Sequence, residues 1–238
     1  MRLDLTLVSR KLYSTRARAV AAIRSGLVTV NGRVAQKPSQ DVTEADVIVG
    51  GDLPYSAGRG SLKLVAALDT FGINPAGWVC LDVGASTGGF TETLLGRGAA
   101  RVIAVDVGTN QMAEPLRNNP RVTVLEQTDI RSLSPMCAVD LIVVDVSFIS
   151  LTNICDALVA WNAPQIIALV KPQFEVSRSI AARAHGVIKS AVDRQNAINT
   201  VVQNFEKVGY KQSGIIESPI RGGSGNVEYL ACLRRVAQ

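Results

Sequence analysis

The sequence is poor in the residues that build cross-links, metal sites and membrane spans. Cys80, Cys137, Cys155 and Cys232 show neither a CxxC motif nor metal-ligand spacing, and each lies in an apolar stretch. They read as reduced core thiols of a cytosolic protein, which excludes a disulfide scaffold and a zinc module. The one histidine, His185, stands alone in a polar loop and is not expected to be a catalyst. No window reaches the roughly 18 uninterrupted apolar residues of a membrane helix. The best stretch, Leu158 to Val170, is broken by Asn162, Pro164 and Gln165. Met1-Arg2-Leu3-Asp4 meets polar residues too soon for a secretory signal. Only 19% of residues are charged and 47% are apolar, which is the wrong balance for disorder. A length of 238 residues fits one large domain, or an ordinary domain with a small companion.

What charge there is sits unevenly. Residues 1–37 carry eight bases (Arg2, Arg10, Lys11, Arg16, Arg18, Arg24, Arg33 and Lys37) against one acid, Asp4, a balance of +7. The remaining 201 residues hold 17 bases and 19 acids, a balance of −2. A basic head on a near-neutral body points to a polyanion grip joined to a unit with other work. In the head, Leu3 to Leu12 carries enough apolar residues for a helix. Ser14 or Thr15 can cap a second helix with Ala19, Val20, Ala22 and Ile23 on its inner face, stopped by Gly26. Asn31-Gly32 turns the following hairpin, and Val47-Ile48-Val49 reads as one more strand.

The runs Thr15-Arg16-Ala17-Arg18-Ala19, Gly26 to Val34 and Lys37-Pro38-Ser39 resemble the S4 RNA-binding module. That resemblance implies that the second helix and the hairpin bind structured RNA. Arg16, Arg18, Arg24 and Arg33, with Arg10 and Lys11 nearby, are the expected phosphate contacts, a source of affinity rather than of sequence readout.

Residues 1–50 are thus expected to be one domain, 51–60 a linker rich in glycine, and 61–238 a second domain. In the latter, a helix over Ser61–Phe71 precedes alternating strands and helices. Strands are expected at Trp78–Val83, Arg101–Asp106, Val122–Leu125, Leu141–Asp145 and Ile166–Val170, with helices starting near Gly89, Met112, Leu151 and Val192. Two late strands, Ile215–Glu217 and Glu228–Leu233, flank a glycine-rich turn. Continuous apolar strands separated by helices predict a mostly parallel sheet covered on both faces.

Between the first of these strands and its helix lies Asp82-Val83-Gly84-Ala85-Ser86-Thr87-Gly88-Gly89-Phe90-Thr91. Ligands bind at the carboxyl ends of such strands, where glycines admit close backbone approach. The G-x-x-x-G-G spacing is not the G-x-G-x-x-G of dinucleotide folds. Asp82 would repel a pyrophosphate yet suits an ammonium or a cationic sulfonium. Asp106, after the second strand, can take ribose hydroxyls, and Asp129, after the third, an adenine amino group or the cap of the next helix. The combination looks like the S-adenosylmethionine site of class I methyltransferases, with a Rossmann-like, seven-stranded, mostly parallel sheet.

Asp145 and Lys171 end the next two strands, and a lysine there has no packing role. With Lys63 and Glu228 they resemble the catalytic Lys-Asp-Lys-Glu set of FtsJ/RrmJ-type RNA ribose 2′-O-methyltransferases. The whole chain resembles the TlyA (hemolysin A) family, an S4 module fused to such a domain. The runs that carry the resemblance are Gly60-Ser61-Leu62-Lys63-Leu64, Asp82 to Thr91, Asp145-Val146-Ser147-Phe148-Ile149-Ser150, Lys171-Pro172-Gln173-Phe174-Glu175 and Gly225-Asn226-Val227-Glu228-Tyr229-Leu230. Two places depart from the family pattern: Gly58-Arg59-Gly60-Ser61-Leu62-Lys63, and Val176 to Ala184. The resemblance implies S-adenosylmethionine as methyl donor, no metal, and ribosomal RNA or a ribosomal subunit as partner, with cytidine of the large subunit modified. Arg59, Arg178 and Arg183 are expected to add RNA contacts on the second domain.

Other readings fit less well. A dehydrogenase would use the other glycine spacing, and a base methyltransferase would show an Asn-Pro-Pro-Tyr-like run or a nucleophilic cysteine. A cytolysin would need a membrane segment, and a non-catalytic RNA-binding module would not need four polar residues at the sheet's carboxyl edge.

Overall fold

The computed structural model describes residues 1–13, 16–24, 26–50 and 60–236, with the backbone alone at Ala17, Arg18, Ala21 and Arg24. The chain divides into two compact units, Met1–Ser56 and Ala57–Gln238. The expected linker over 51–60, Arg59 included, lies outside the described residues except for Gly60, and so do Ser14 and Thr15.

In the first unit, α1 (Leu3–Ser9) and α2 (Arg16–Arg24) pack on a three-stranded sheet of β1 (Val28–Val30), β2 (Arg33–Val34) and β3 (Ile48–Gly50), ordered β2-β1-β3. Leu3, Leu7, Ala19, Ala22, Ile23 and Val28 make its core. Asn31 (φ 51°) and Gly32 (φ 78°) both take the left-handed conformation that a two-residue hairpin needs. The Asn31 amide then ties the turn to the approach of β3, donating to Asp46 at 2.7 Å and accepting from the Val47 amide at 2.9 Å. Helix α1 stops at Ser9, short of the expected Leu12, because the chain reverses at Lys11 (φ 57°).

The second unit opens with α3 (Gly60–Phe71) and continues β4 (Val79–Val83), α4 (Gly89–Gly96), β5 (Arg101–Val105), α5 (Glu114–Arg117), β6 (Val122–Leu125) and β7 (Leu141–Val144). It ends with α6 (Cys155–Val159), β8 (Gln165–Val170), α7 (Pro172–Glu175), α8 (Arg178–Arg183), α9 (Ala191–Lys207), β9 (Tyr210–Glu217) and β10 (Tyr229–Arg235). The sheet order is β6-β5-β4-β7-β8-β10-β9, and β10 alone runs against its neighbours. This is the class I methyltransferase arrangement. From β4 the chain builds outward through β5 and β6, then returns to place β7 on β4's other side. That reversal opens a crevice between the carboxyl ends of β4 and β7, where an α/β sheet binds ligands.

Strand residues alternate between two apolar layers. Leu81, Ile103 and Ile142 face Leu158, Val201 and Phe205, whereas Cys80, Val102 and Leu141 face Leu64, Leu68, Phe90 and Leu94. Being buried on both faces is why these strands are continuously apolar in sequence.

Several expectations need correction. Cys137 is exposed rather than a core thiol. The segment from Leu151 begins as a 3-10 turn over Leu151–Asn153 before α6. Strand β9 starts five residues earlier than expected, because polar Lys211, Gln212 and Ser213 at an exposed edge hide it from a reading based on apolar runs. No helix among the described residues is long and apolar enough to cross a membrane.

Candidate active site

The crevice is shaped by backbone more than by side chains. Gly84 (φ 82°) follows β4, and a Cβ there would strike the carbonyl of Asp145 at the end of β7. Only glycine lets these two strand ends approach so closely. Ser86 (φ 48°) and Gly88 (φ 98°) continue the loop in left-handed conformations, and α4 starts at Gly89 with Phe90 buried behind it. A cavity of about 200 Å³ opens above the loop, lined by Ala85, Ser86, Thr87, Lys63, Asp145 and the glycine-rich turn at Arg221–Gly223.

Asp106 secures this loop from β5. One of its oxygens accepts from the Ser86 amide at 2.8 Å and the other from the Gly108 amide at 2.7 Å. Each oxygen keeps a further lone pair for a ligand hydroxyl. Glu126, which sequence reasoning missed, builds the adjoining loop by accepting from the amides of Asn110, Gln111 and Met112 and from Arg117. The Met112 amide and the Arg117 guanidinium hold its carboxyl down at about 2.

Asp82 departs from expectation. It shares a sheet face with Cys80 under α4, so its carboxylate is wholly buried rather than displayed at the strand end. Thr91 Oγ1 donates to one oxygen at 2.6 Å, and the other, Oδ1, has no partner among the described residues. Burial pushes this carboxyl up to about 7, against the pull of the Thr91 hydrogen bond.

Asp129 fills the capping role that its position after the third strand also allows. It caps the 3-10 turn Ile130–Ser132 through the Arg131 amide and pairs with the Arg131 guanidinium at 2.6 Å. Arg131 accordingly holds its carboxyl below the usual range.

Beside the cavity four charged side chains form one chain. Lys171 Nζ, at the end of β8, donates to Asp145 Oδ1 at 2.7 Å and to Ser147 Oγ at 2.7 Å. Asp145 Oδ2 lies 3.9 Å from Lys63 Nζ on α3, which in turn donates to Glu228 Oε2 at 2.6 Å. Lys63, Lys171 and Glu228 are all buried, and two cations balance two anions, the condition for keeping charges out of water. Ser147 and Phe148 went unassigned in the sequence. Phe148 takes a left-handed conformation (φ 65°) and is 92% exposed, with its ring 5.3 Å from that of Phe174. A positive φ at phenylalanine has no sequence signature.

The basic residues divide. Lys11 and Arg33 are exposed. Arg16 is held by buried Asp4 at 2.9 Å but remains 58% exposed. The hydrogen bond from Arg2, then that from Arg16, brings the Asp4 carboxyl down to about 2. Arg10 is a structural clamp instead: its guanidinium donates to the carbonyls of Thr43, Glu44 and Asp46. Arg178 and Arg183 are exposed on α8. The side chains of Arg18 and Arg24, like all of Arg59, lie outside the described residues.

Comparison with known proteins agrees with this geometry. The FtsJ-like methyltransferase family matches residues 57–235, and the S4 domain matches residues 1–48. The 16S/23S rRNA (cytidine-2′-O)-methyltransferase TlyA of Mycobacterium tuberculosis is 44% identical over 98% of this chain and 89% of its own length. The chain belongs to the TlyA branch of the FtsJ-like methyltransferases. A second relative, the 23S rRNA (cytidine-2′-O)-methyltransferase TlyA of Campylobacter jejuni, is 34% identical over 96% of this chain and 97% of its own length. Among solved structures, a candidate hemolysin of Streptococcus thermophilus superposes with a TM-score of 0.74 at 35% identity, covering 100% of this chain and 89% of its own.

The methyl donor of this methyltransferase is S-adenosylmethionine, and the residues fit it. The loop from Gly84 to Phe90 lines the cavity, and Asp106 offers acceptors suited to ribose hydroxyls. Asp145 in the cavity wall is a carboxylate that suits a cationic sulfonium, whereas Asp82 lies buried beneath the loop.

Proposed function

We propose that this methyltransferase acts on the 2′-hydroxyl of a cytidine in ribosomal RNA, in the cytosol, as part of ribosome maturation. The observation that carries this reading is the Lys171–Asp145–Lys63–Glu228 chain beside the glycine loop. Two relatives named as cytidine-2′-O-methyltransferases support it, and the Campylobacter name favours a large-subunit target. The basic first unit supports an RNA substrate, held through Lys11, Arg16 and Arg33, with Arg18, Arg24 and Arg59 as further contacts.

A ribose hydroxyl is a poor nucleophile, and S-adenosylmethionine supplies a methyl group already activated by its sulfonium charge. The protein must therefore align the oxygen and manage its proton. In this reading the Lys171 ammonium first gives up a proton to water, its amine then accepts the hydroxyl proton as the oxygen attacks, and Asp145 steadies the ammonium that forms again. Ser147 fixes the nitrogen's direction. Glu228 holds Lys63 against the other oxygen of Asp145, which keeps that carboxylate aimed at Lys171. Gly84 to Phe90 and Asp106 hold the donor, with Asp82 supporting the loop from below. Phe148, exposed next to Ser147, offers a face on which the target base stacks once it leaves its helix.

Incubating the protein with methyl-labelled S-adenosylmethionine and ribosomal RNA, then digesting with alkali, tests the reading. Label in an alkali-resistant cytidine dinucleotide is expected, because ribose methylation blocks cleavage at that phosphate. Label in alkali-labile nucleotides would place the methyl on a base and overturn it.

A further inference from the structure

The segment 176–190 holds Arg178, Arg183, His185 and Lys189 and no acid, in a unit otherwise slightly acidic. It folds as α8 and a sharp reversal at His185 (φ 46°) and Gly186 (φ 76°) that leads into α9. Between them lies an open cleft of about 420 Å³. Ile180, Val187 and Ile188 give it an apolar floor, Arg183, His185 and Lys189 a basic rim, and Asp193 is the one acid in its lining. Arg183, His185 and Lys189 are exposed, and their side chains have no ion-pair or hydrogen-bond partner among the described residues.

The backbone that carries His185 and Lys189 is fastened. Asn226, 1% exposed, accepts from the Ile188 amide at 2.8 Å and donates to the Gly186 carbonyl at 2.7 Å. Arg194 donates to the carbonyls of Ile188 and Lys189 and to the Tyr229 hydroxyl. Asn226 and Tyr229 flank Glu228 in sequence, so the reversal from Gly186 to Lys189 is tied to the same stretch of chain as the Lys63–Glu228 pair.

We infer that Arg183, His185 and Lys189 form a phosphate subsite on the catalytic unit, taking the backbone of the substrate RNA beside the target nucleotide. The inference rests on the RNA-methyltransferase reading above. The apolar floor suits the ribose edge and the basic rim suits a phosphodiester. The fastening by Asn226 gives that contact a fixed distance to the reacting groups.

The test is the salt dependence of ribosomal RNA binding by the full chain, since each lost phosphate contact lowers the slope of log K against log salt by about 1. Arg183→Gln with Lys189→Gln is expected to flatten the slope by about 2 and leave the melting temperature and S-adenosylmethionine affinity unchanged. Asp193→Asn, which removes the acid from the cleft, is expected to tighten RNA binding, a gain that a merely disturbed fold would not give. Slopes and affinities equal to those of the wild type in both variants would overturn the inference. The slopes are read without turnover, so failure of the proposed reaction in the labelling experiment stays separate from failure of this subsite.

Discussion

Lys63 Nζ and Glu228 Oε2 lie 2.6 Å apart although 165 residues separate them in the chain, and both side chains are nearly dry. The contact joins α3, before the first strand of the sheet, to the start of its last strand. Gly222 makes room for it, since a Cβ there would meet the Glu228 carboxylate. Removing Lys63 strands the Glu228 charge in a dry site and removing Glu228 leaves Lys63 only the 3.9 Å contact with Asp145, whereas removing both strands neither. Glu228→Ala is expected to cost about 3–5 kcal/mol in urea unfolding, and Lys63→Met a similar amount. The double variant is expected to cost clearly less than their sum. Additive losses would show that the pair is not coupled.

The Asp82 carboxyl makes stability depend on pH. Its folded value of about 7 lies well above that of an unfolded aspartate, so the folded chain keeps a proton that the unfolded chain has released. This contribution therefore falls as pH rises from about 4 to 7, by about 1.4 kcal/mol per unit, and is flat above. Asp82→Asn, a permanent mimic of the neutral form, is expected to gain on the wild type across that window when unfolding is measured at pH 5, 6 and 7. A difference independent of pH would mean that Asp82 is ionised in the fold.

Arginines in the first unit are expected to separate by task. Arg10→Ala removes a clamp on three carbonyls and is expected to destabilise that unit by about 1 kcal/mol, read by thermal unfolding. Arg33→Ala is expected to leave unfolding unchanged and to lower RNA affinity, with a shallower salt slope. Equal behaviour of the two variants would refute the division.

Phe148→Ala tests the stacking platform. Loss of one base contact is expected to weaken RNA binding by about 1–3 kcal/mol, roughly 5- to 150-fold. Binding of S-adenosylmethionine is expected to stay as it is. RNA affinity equal to the wild type would remove Phe148 from the substrate site.

Much of this architecture was legible in the sequence, for identifiable reasons. Strands buried on both faces declare themselves as apolar runs, and a polar residue ending such a run, as Asp145 and Lys171 do, has no packing explanation. Asn31-Gly32 fixed its hairpin because few other pairs accept two left-handed residues. What escaped was whatever depends on three-dimensional direction. Asp82 and Asp145 both belong to strand ends, yet Asp82 is level with Val143, two positions before Asp145, and so lies inside the strand under α4. Arg10 and Arg33 are equal as charges, and only the fold shows that one is consumed by carbonyls. Asp129 could cap or bind, and the Arg131 two residues on decided for the cap. Strand β9 extends beyond its apolar run because exposed edge residues carry no apolar signal.

The most direct test of the central claim is the single-turnover rate of methyl transfer by Lys171→Ala on saturating ribosomal RNA and S-adenosylmethionine. Loss of a proton acceptor is expected to slow transfer by about 100- to 10,000-fold with both ligands still bound. Transfer at the wild-type rate would contradict the role given to Lys171 and, with it, the chemistry assigned to the four charged residues.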